Sequence, residues 1–431
     1  MTSDRANLGD RRSCDSHGFR SRDRKAPTDL SVSVIPPIDM KLIPSMATPL
    51  AIASELLAIA VFSLPIFAQT PPSSPPNSSD SGLEILGELA ECVSTSLETL
   101  PQADRQDLET LSMQCVFEVV ILGPDGTLRS DANERMLALL EFTGGTLPAR
   151  VVRGQAKVPL NPIEDRFLWT VPVTLGDRTY PFLLDTGASN SLLAQSMATQ
   201  LGLAGTPIPN DLFAYMVVGE DCSEIDATLM QFPHVSIDRA TVEGMTGMGL
   251  PQTTIPQQLS GVLGLDFLSG FDAIVDPGRL ELQLLPRSPA PSDAIPLEGK
   301  MGVMTAQVYL GDRGPFTFLL DTGAEVTAIS QDLADRLSLD TTDLPTQEVV
   351  GFCGPETAAL TTLERVRLAD RQRDGIDAVI LQKGVLDFLG IDGILGQNFL
   401  LHYKQHWRFD PPNALGFPDR GTLILSPATA P

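Results

Sequence analysis

The segment Phe182-Leu-Leu-Asp-Thr-Gly-Ala-Ser189 returns 136 positions later as Phe318-Leu-Leu-Asp-Thr-Gly-Ala-Glu325. A repeat on this scale constrains the fold more than any local pattern, because each copy must be one structural unit. The copy extends well beyond the motif. Val173-Thr-Leu-Gly-Asp-Arg178 matches Val308-Tyr-Leu-Gly-Asp-Arg313, and Leu193 to Leu203 reads like Ile329 to Leu339, both helical in pattern. Val217-Val-Gly219 then matches Val349-Val-Gly351, and Gly261-Val-Leu-Gly-Leu-Asp-Phe-Leu268 matches Gly393-Ile-Leu-Gly-Gln-Asn-Phe-Leu400.

Each unit is mostly β in character. Phe182-Leu-Leu184 and Phe318-Leu-Leu320 are short apolar runs that must be buried as strands. Asp-Thr-Gly ends each run, where glycine permits a sharp turn. Val235-Ser-Ile-Asp and Val366-Arg-Leu-Ala alternate like half-buried strands. Val262-Leu-Gly and Ile394-Leu-Gly are apolar strands broken by glycine, which marks a close backbone approach, here by the Asp-Thr-Gly loop. Asp266 and Asn398 are expected to cap short helices. Two carboxylates brought face to face, about 3 Å apart, cannot both ionise. One would activate water while the other polarises a carbonyl.

With these motifs in place, each unit resembles a retropepsin, the retroviral-type aspartic protease. The resemblance covers roughly residues 158 to 426. It implies a mainly β fold of two retropepsin-like β-barrel lobes related by a pseudo-twofold, fused in one chain and preceded by a small α-helical segment. It implies an aspartic endopeptidase with Asp185 and Asp321 as the dyad. Thr186 and Thr322 would lock the two loops across the pseudo-twofold, and Gly187 and Gly323 would bring backbone N–H groups near the carboxylates. Hairpins around Gly219 and Gly351 would be flaps, with Tyr215 and Phe352 as the candidate flap aromatics. Ser189 and Glu325 differ between the halves, so the two sides of the cleft should not be equivalent, and Glu325 adds an acid near the dyad. The alternatives are a noncatalytic peptide-binding protein on the same scaffold, and lobes that pair with a partner chain.

The resemblance implies no cofactor. The four histidines (His17, His234, His402, His406) suggest no metal cluster. His402 and His406, four apart with Asp410 following, read better as surface or strand-end residues than as a zinc site. The net charge of −24 argues against nucleic acid as a partner. The expected partner is a peptide or protein substrate, met by a monomer that carries its pseudo-dimer within one chain.

The chain before the repeats divides by composition. Residues 1–39 form a polar, Arg-rich leader. Within 40–68, the 13 residues Leu56 to Ala68 form an apolar run read as a secretory signal cleaved near Ala68, the alternative being a retained membrane anchor over 47–68. Export, to a periplasm or outside the cell, follows from the first reading. Residues 69–81 are a Pro/Ser linker. Between 82 and 147 a helical segment carries a stripe of Leu83, Leu86, Ala90, Val93 and Leu97, with Pro101 starting a second helix and Ser130 to Glu134 capping a third that stops at Gly144-Gly145. The lobes are expected at 158–285 and 297–426, joined by a Pro-rich linker at 286–296. Of the five cysteines, Cys92 with Cys115 and Cys222 with Cys353 are the candidate disulfides of an exported protein, with free buried thiols as the alternative.

Overall fold

The computed structural model describes residues 79–99, 105–145, 147–208, 210–213, 225–255, 258–351, 354–382 and 384–428. The leader, the apolar run before Ala68, most of the first linker, Pro101, Tyr215, Gly219, Cys222, Phe352 and Cys353 lie outside the described residues. The described residues all fall within one compact unit.

The chain folds as two mainly β lobes preceded by a helical bundle. At the centre of the first lobe, Arg178–Leu184 runs parallel to Gly261–Leu263, with Leu183 opposite Val262. At the centre of the second, Arg313–Leu320 runs parallel to Gly393–Leu395, with Leu319 opposite Ile394. A third strand in each case, Leu192–Ala194 or Thr327–Ser330, lies antiparallel on the far side. Apolar residues fill both strands of each pair because both faces are covered: Phe182, Leu184, Phe318 and Leu320 are at most 1% exposed. Gly264 and Gly396 are needed for clearance. A Cβ on Gly264 would meet Ala188 O at 2.6 Å, and one on Gly396 would meet Ala324 O at 2.9 Å, both in the turn that follows Asp-Thr-Gly.

The lobes are joined by continuous β structure. A ladder runs in the order Ile295–Lys300, Arg420–Pro427, Tyr403–Phe409, Asp272–Asp276, Glu281–Leu285 and Ala156–Pro159. It crosses between repeats where Ala273 faces Trp407 and Val275 faces Gln405. This shared sheet fixes one lobe against the other, so the Asp-Thr-Gly turns hold a defined mutual position.

Several local expectations need correction. The stretches from Leu193 and Ile329 open as strand, and helix begins only at Gln195 and Gln331. Gly264 and Gly396, not Asp266 and Asn398, are the residues at the caps of the short helices Leu265–Leu268 and Gln397–Leu400. The linker at 69–81 yields early, because helix α1 (Ser79–Thr99) already includes its last residues. The linker at 286–296 likewise gives way to strand at Ile295.

Helices α1, α2 (Arg105–Val116) and α3 (Ala132–Thr143) form the bundle. A disulfide joins Cys92 to Cys115, with a Cα–Cα distance of 5.8 Å. The buried stripe of α1 is Ile85, Leu86, Leu89, Ala90 and Val93, whereas Leu83 is 52% exposed, so the apolar face is rotated from the sequence expectation. Helix α3 ends at Gly144 in a left-handed conformation (φ 70°). The bundle docks on the second lobe. The Phe117 and Phe388 rings stack at 5.9 Å, and Leu128 N–H donates to Phe388 O at 2.7 Å. No helix among the described residues is long and apolar enough to cross a membrane.

Candidate active site

Asp185 and Asp321 each leave the end of an apolar central strand. Their backbone N–H groups still belong to the sheet, donating to Leu263 O (3.2 Å) and Leu395 O (3.1 Å). The chain then turns tightly around the carboxyl group. Gly187 N–H (2.7 Å) and Ala188 N–H (3.1 Å) donate to Asp185 Oδ1, and Gly323 N–H (2.6 Å) and Ala324 N–H (3.2 Å) donate to Asp321 Oδ1. The same turn thus appears twice, with matching distances.

The two turns interlock. Thr186 N–H donates to Thr322 Oγ1 (3.0 Å) and Thr322 N–H to Thr186 Oγ1 (3.1 Å). Each hydroxyl then donates onward into the opposite lobe, Thr186 to Leu320 O (2.8 Å) and Thr322 to Leu184 O (3.0 Å). Four hydrogen bonds, all buried, tie the loops across the pseudo-twofold. The glycines have a steric role as well. A Cβ on Gly187 would sit 2.4 Å from Asp321 Cγ, and one on Gly323 would sit 2.4 Å from Asp185 Cγ. Each glycine therefore occupies the space left beneath the other lobe's carboxyl group.

The two carboxyl groups are brought together, because the glycine that donates to each one also lies against the other. Asp185 is pushed well above the ordinary carboxylate range, first by burial, then by the charge of Asp321 and the hydrogen bond between them. Asp321 is also raised by burial, against which the bonds from Asp185 and the Gly323, Ala324 and Gly187 amides favour its charged form. Burial and like charge act together on the pair, so it holds a proton above the pH at which a free aspartate would lose one.

Around this symmetric centre the supports diverge. In the first lobe, Ser191 Oγ (2.6 Å) and N–H (2.8 Å) donate to the buried Asp266 carboxyl. In the second, Thr327 Oγ1 (2.8 Å) and N–H (3.1 Å) donate to Asn398 Oδ1. Both clamps join the short helix to the strand after the Asp-Thr-Gly turn. Burial pushes Asp266 up to about 6, partly offset by those bonds and by the Arg150 charge. Gln397, absent from the sequence-based site, donates from Nε2 to Thr322 O at 2.9 Å. Leu265 stands in its place in the first lobe. The only sequence sign of Gln397 is the one polar residue at a position the repeat otherwise leaves apolar.

Glu325 turns toward the first lobe, accepting from Arg166 Nη1 (3.2 Å) and from Phe167 N–H (3.2 Å). Its counterpart Ser189 reaches only Asn190 Oδ1, at 3.4 Å. Gly351 ends the strand Thr346–Gly351, which forms a hairpin with the strand starting at Gly354. Val350 near its tip is 63% exposed. His402 and His406 lie before and within the strand Tyr403–Phe409, so a spacing of four does not bring them onto one helical face.

The aspartyl protease family model matches the chain twice, over residues 171–267 and 306–399. The family model matches once in each repeat. Each match spans the Asp-Thr-Gly turn and the second glycine motif of one repeat, so family likeness and internal repeat coincide. Among solved structures, a retropepsin-like aspartic protease from Rickettsia conorii is similar at 24% identity, covering 30% of this chain and 88% of its own, with a TM-score of 0.24. No curated protein sequence matches.

Proposed function

We propose that this protein is an aspartic endopeptidase that hydrolyses peptide bonds with water activated between Asp185 and Asp321. The observation that carries the reading is the pair of interlocked Asp-Thr-Gly turns, which bring one buried carboxyl group from each lobe against the other; burial raises the proton affinity of both. In the singly protonated pair, the charged carboxylate takes a proton from water as it attacks the scissile carbonyl. The protonated partner donates to the carbonyl oxygen, and proton return to the leaving nitrogen completes cleavage. No covalent intermediate is needed. The Thr346–Gly351 hairpin supplies one flap, which would close over the substrate and exclude water. The Cys92–Cys115 disulfide supports an oxidising compartment and therefore export.

The test is digestion of denatured casein, with and without pepstatin, by wild type, Asp185→Asn and Asp321→Asn. Cleavage by wild type alone, blocked by pepstatin, is expected, with each variant reduced by about 10²- to 10⁴-fold. Equal cleavage by all three proteins would end the proposal. Peptide binding without cleavage by wild type would instead mark a noncatalytic binder on the same scaffold.

A further inference from the structure

Away from the dyad, the base of the first lobe contains a cavity of about 430 Å³ lined by Arg150, Arg153 and Arg287, with Val152, Phe271 and Pro286 as apolar wall. Converging cations are the exception in a chain of net charge −24. Arg153 at the rim is already paired with Glu243, at 2.9 Å. The other two are not paired. Arg150 donates to Ser269 Oγ (3.2 Å from both Nη atoms), Gly416 O (3.2 Å) and Phe267 O (3.4 Å), all neutral acceptors. Its buried Nε has no hydrogen-bond partner among the described residues. Arg287 donates to Ser269 O at 2.5 Å. Neither forms an ion pair among the described residues, and desolvation lowers the proton affinity of both, with the charge of Arg287 adding to the effect on Arg150.

The nearby acids Asp266, Asp272 and Asp410 act on the two arginines through space, and none is hydrogen-bonded to either among the described residues. Asp266 accepts from Ser191 and Phe267 N–H, and Asp272 from Ser288 and Arg408. Asp272 and Asp410 both favour the charged form of Arg287 from a distance. Arg150 is half-buried and Arg287 exposed, so both can be reached from solvent, and the planar fork of a guanidinium fits a carboxylate with two parallel bonds. The apolar wall fits a hydrocarbon side chain beside that carboxylate.

We infer that this cavity binds the free carboxylate of a peptide end whose last residue is apolar, with Arg150 and Arg287 as the carboxylate-reading groups. The site is separate from the dyad and does not depend on hydrolysis. The experiment is calorimetric titration of the full chain with N-acetyl-leucine, N-acetyl-leucinamide and inorganic phosphate. The acid should bind at least about tenfold more tightly than the amide, since only it offers a charged partner. Binding should be unchanged in Asp185→Asn, which separates this site from the proposed active site, and lost in Arg287→Met. Should Arg287→Met fail to fold, the acid–amide comparison on the wild type decides alone. Equal binding of acid and amide, no binding of either, or binding of phosphate only would overturn the inference.

Discussion

The two lobes present the same turn to each other and support it in different ways. Around Asp185 the neighbours are Leu265, a buried Asp266 and the Arg150 guanidinium; around Asp321 they are Gln397 and Asn398. The helical bundle packs against the second lobe, through Phe117 and Leu128 on Phe388. What stays identical after duplication is the set of atoms that must meet across the pseudo-twofold. What has diverged lies one layer behind. The comparison teaches that the symmetric constraint comes from the two carboxyl turns and the interlocked threonines, and that the fold tolerates different means of holding each loop.

The strongest test of that symmetry is steric. Gly187→Ala and Gly323→Ala each place a methyl group 2.4 Å from the opposite carboxyl carbon. Each should cost about 3 kcal/mol of stability or more in denaturant unfolding, and the two losses should agree. A large loss in one lobe with none in the other would break the claim that the turns are equivalent.

The next effect should fall on one lobe alone. Asp266 has a folded value of about 6 against an ordinary 3.8. The fold thus favours its protonated form, and that contribution is present at low pH and lost as pH rises through about 6. Wild-type stability should fall by about 2–3 kcal/mol more than that of Asp266→Asn between about pH 4 and 7. Asn398 cannot titrate, so the matching position in the second lobe should add no such slope. Parallel pH profiles for wild type and Asp266→Asn would remove this difference between the lobes.

The smallest effect concerns the rim. Arg166→Ala removes a partly exposed ion pair with Glu325 and should cost only about 0.2–1 kcal/mol. Its effect on cleavage should be larger than on stability if Glu325 must be held beside the dyad. A stability loss well above 1 kcal/mol would show that the pair is structural.

Much of this arrangement was legible in the sequence because duplication writes the same constraint twice. The repeated Leu-Leu-Asp-Thr-Gly-Ala and the second glycine motif located the central strands and their turns. What the sequence hid has a physical cause in each case. Asp266 and Asn398 look like helix caps from local pattern, but tertiary contact with Ser191 and Thr327 uses them as clamps between elements. The rotated face of α1 depends on what packs over it, and Leu83 has nothing there that Ile85 does not have better. Gln397 is a lone polar residue in an apolar motif, and its partner Thr322 O lies 75 positions away. The crossing of strands between lobes at Ala273 and Trp407 has no local signature at all.

The central claim is that the two carboxyl groups titrate as one unit carrying a single proton in the working state. The pH dependence of kcat/KM for a soluble peptide, measured over about pH 2 to 9, tests it most directly. The expected result is a bell, with activity lost at low pH when both groups are protonated and at high pH when both are charged. A profile with a single limb, unchanged when either aspartate is replaced by asparagine, would contradict the account.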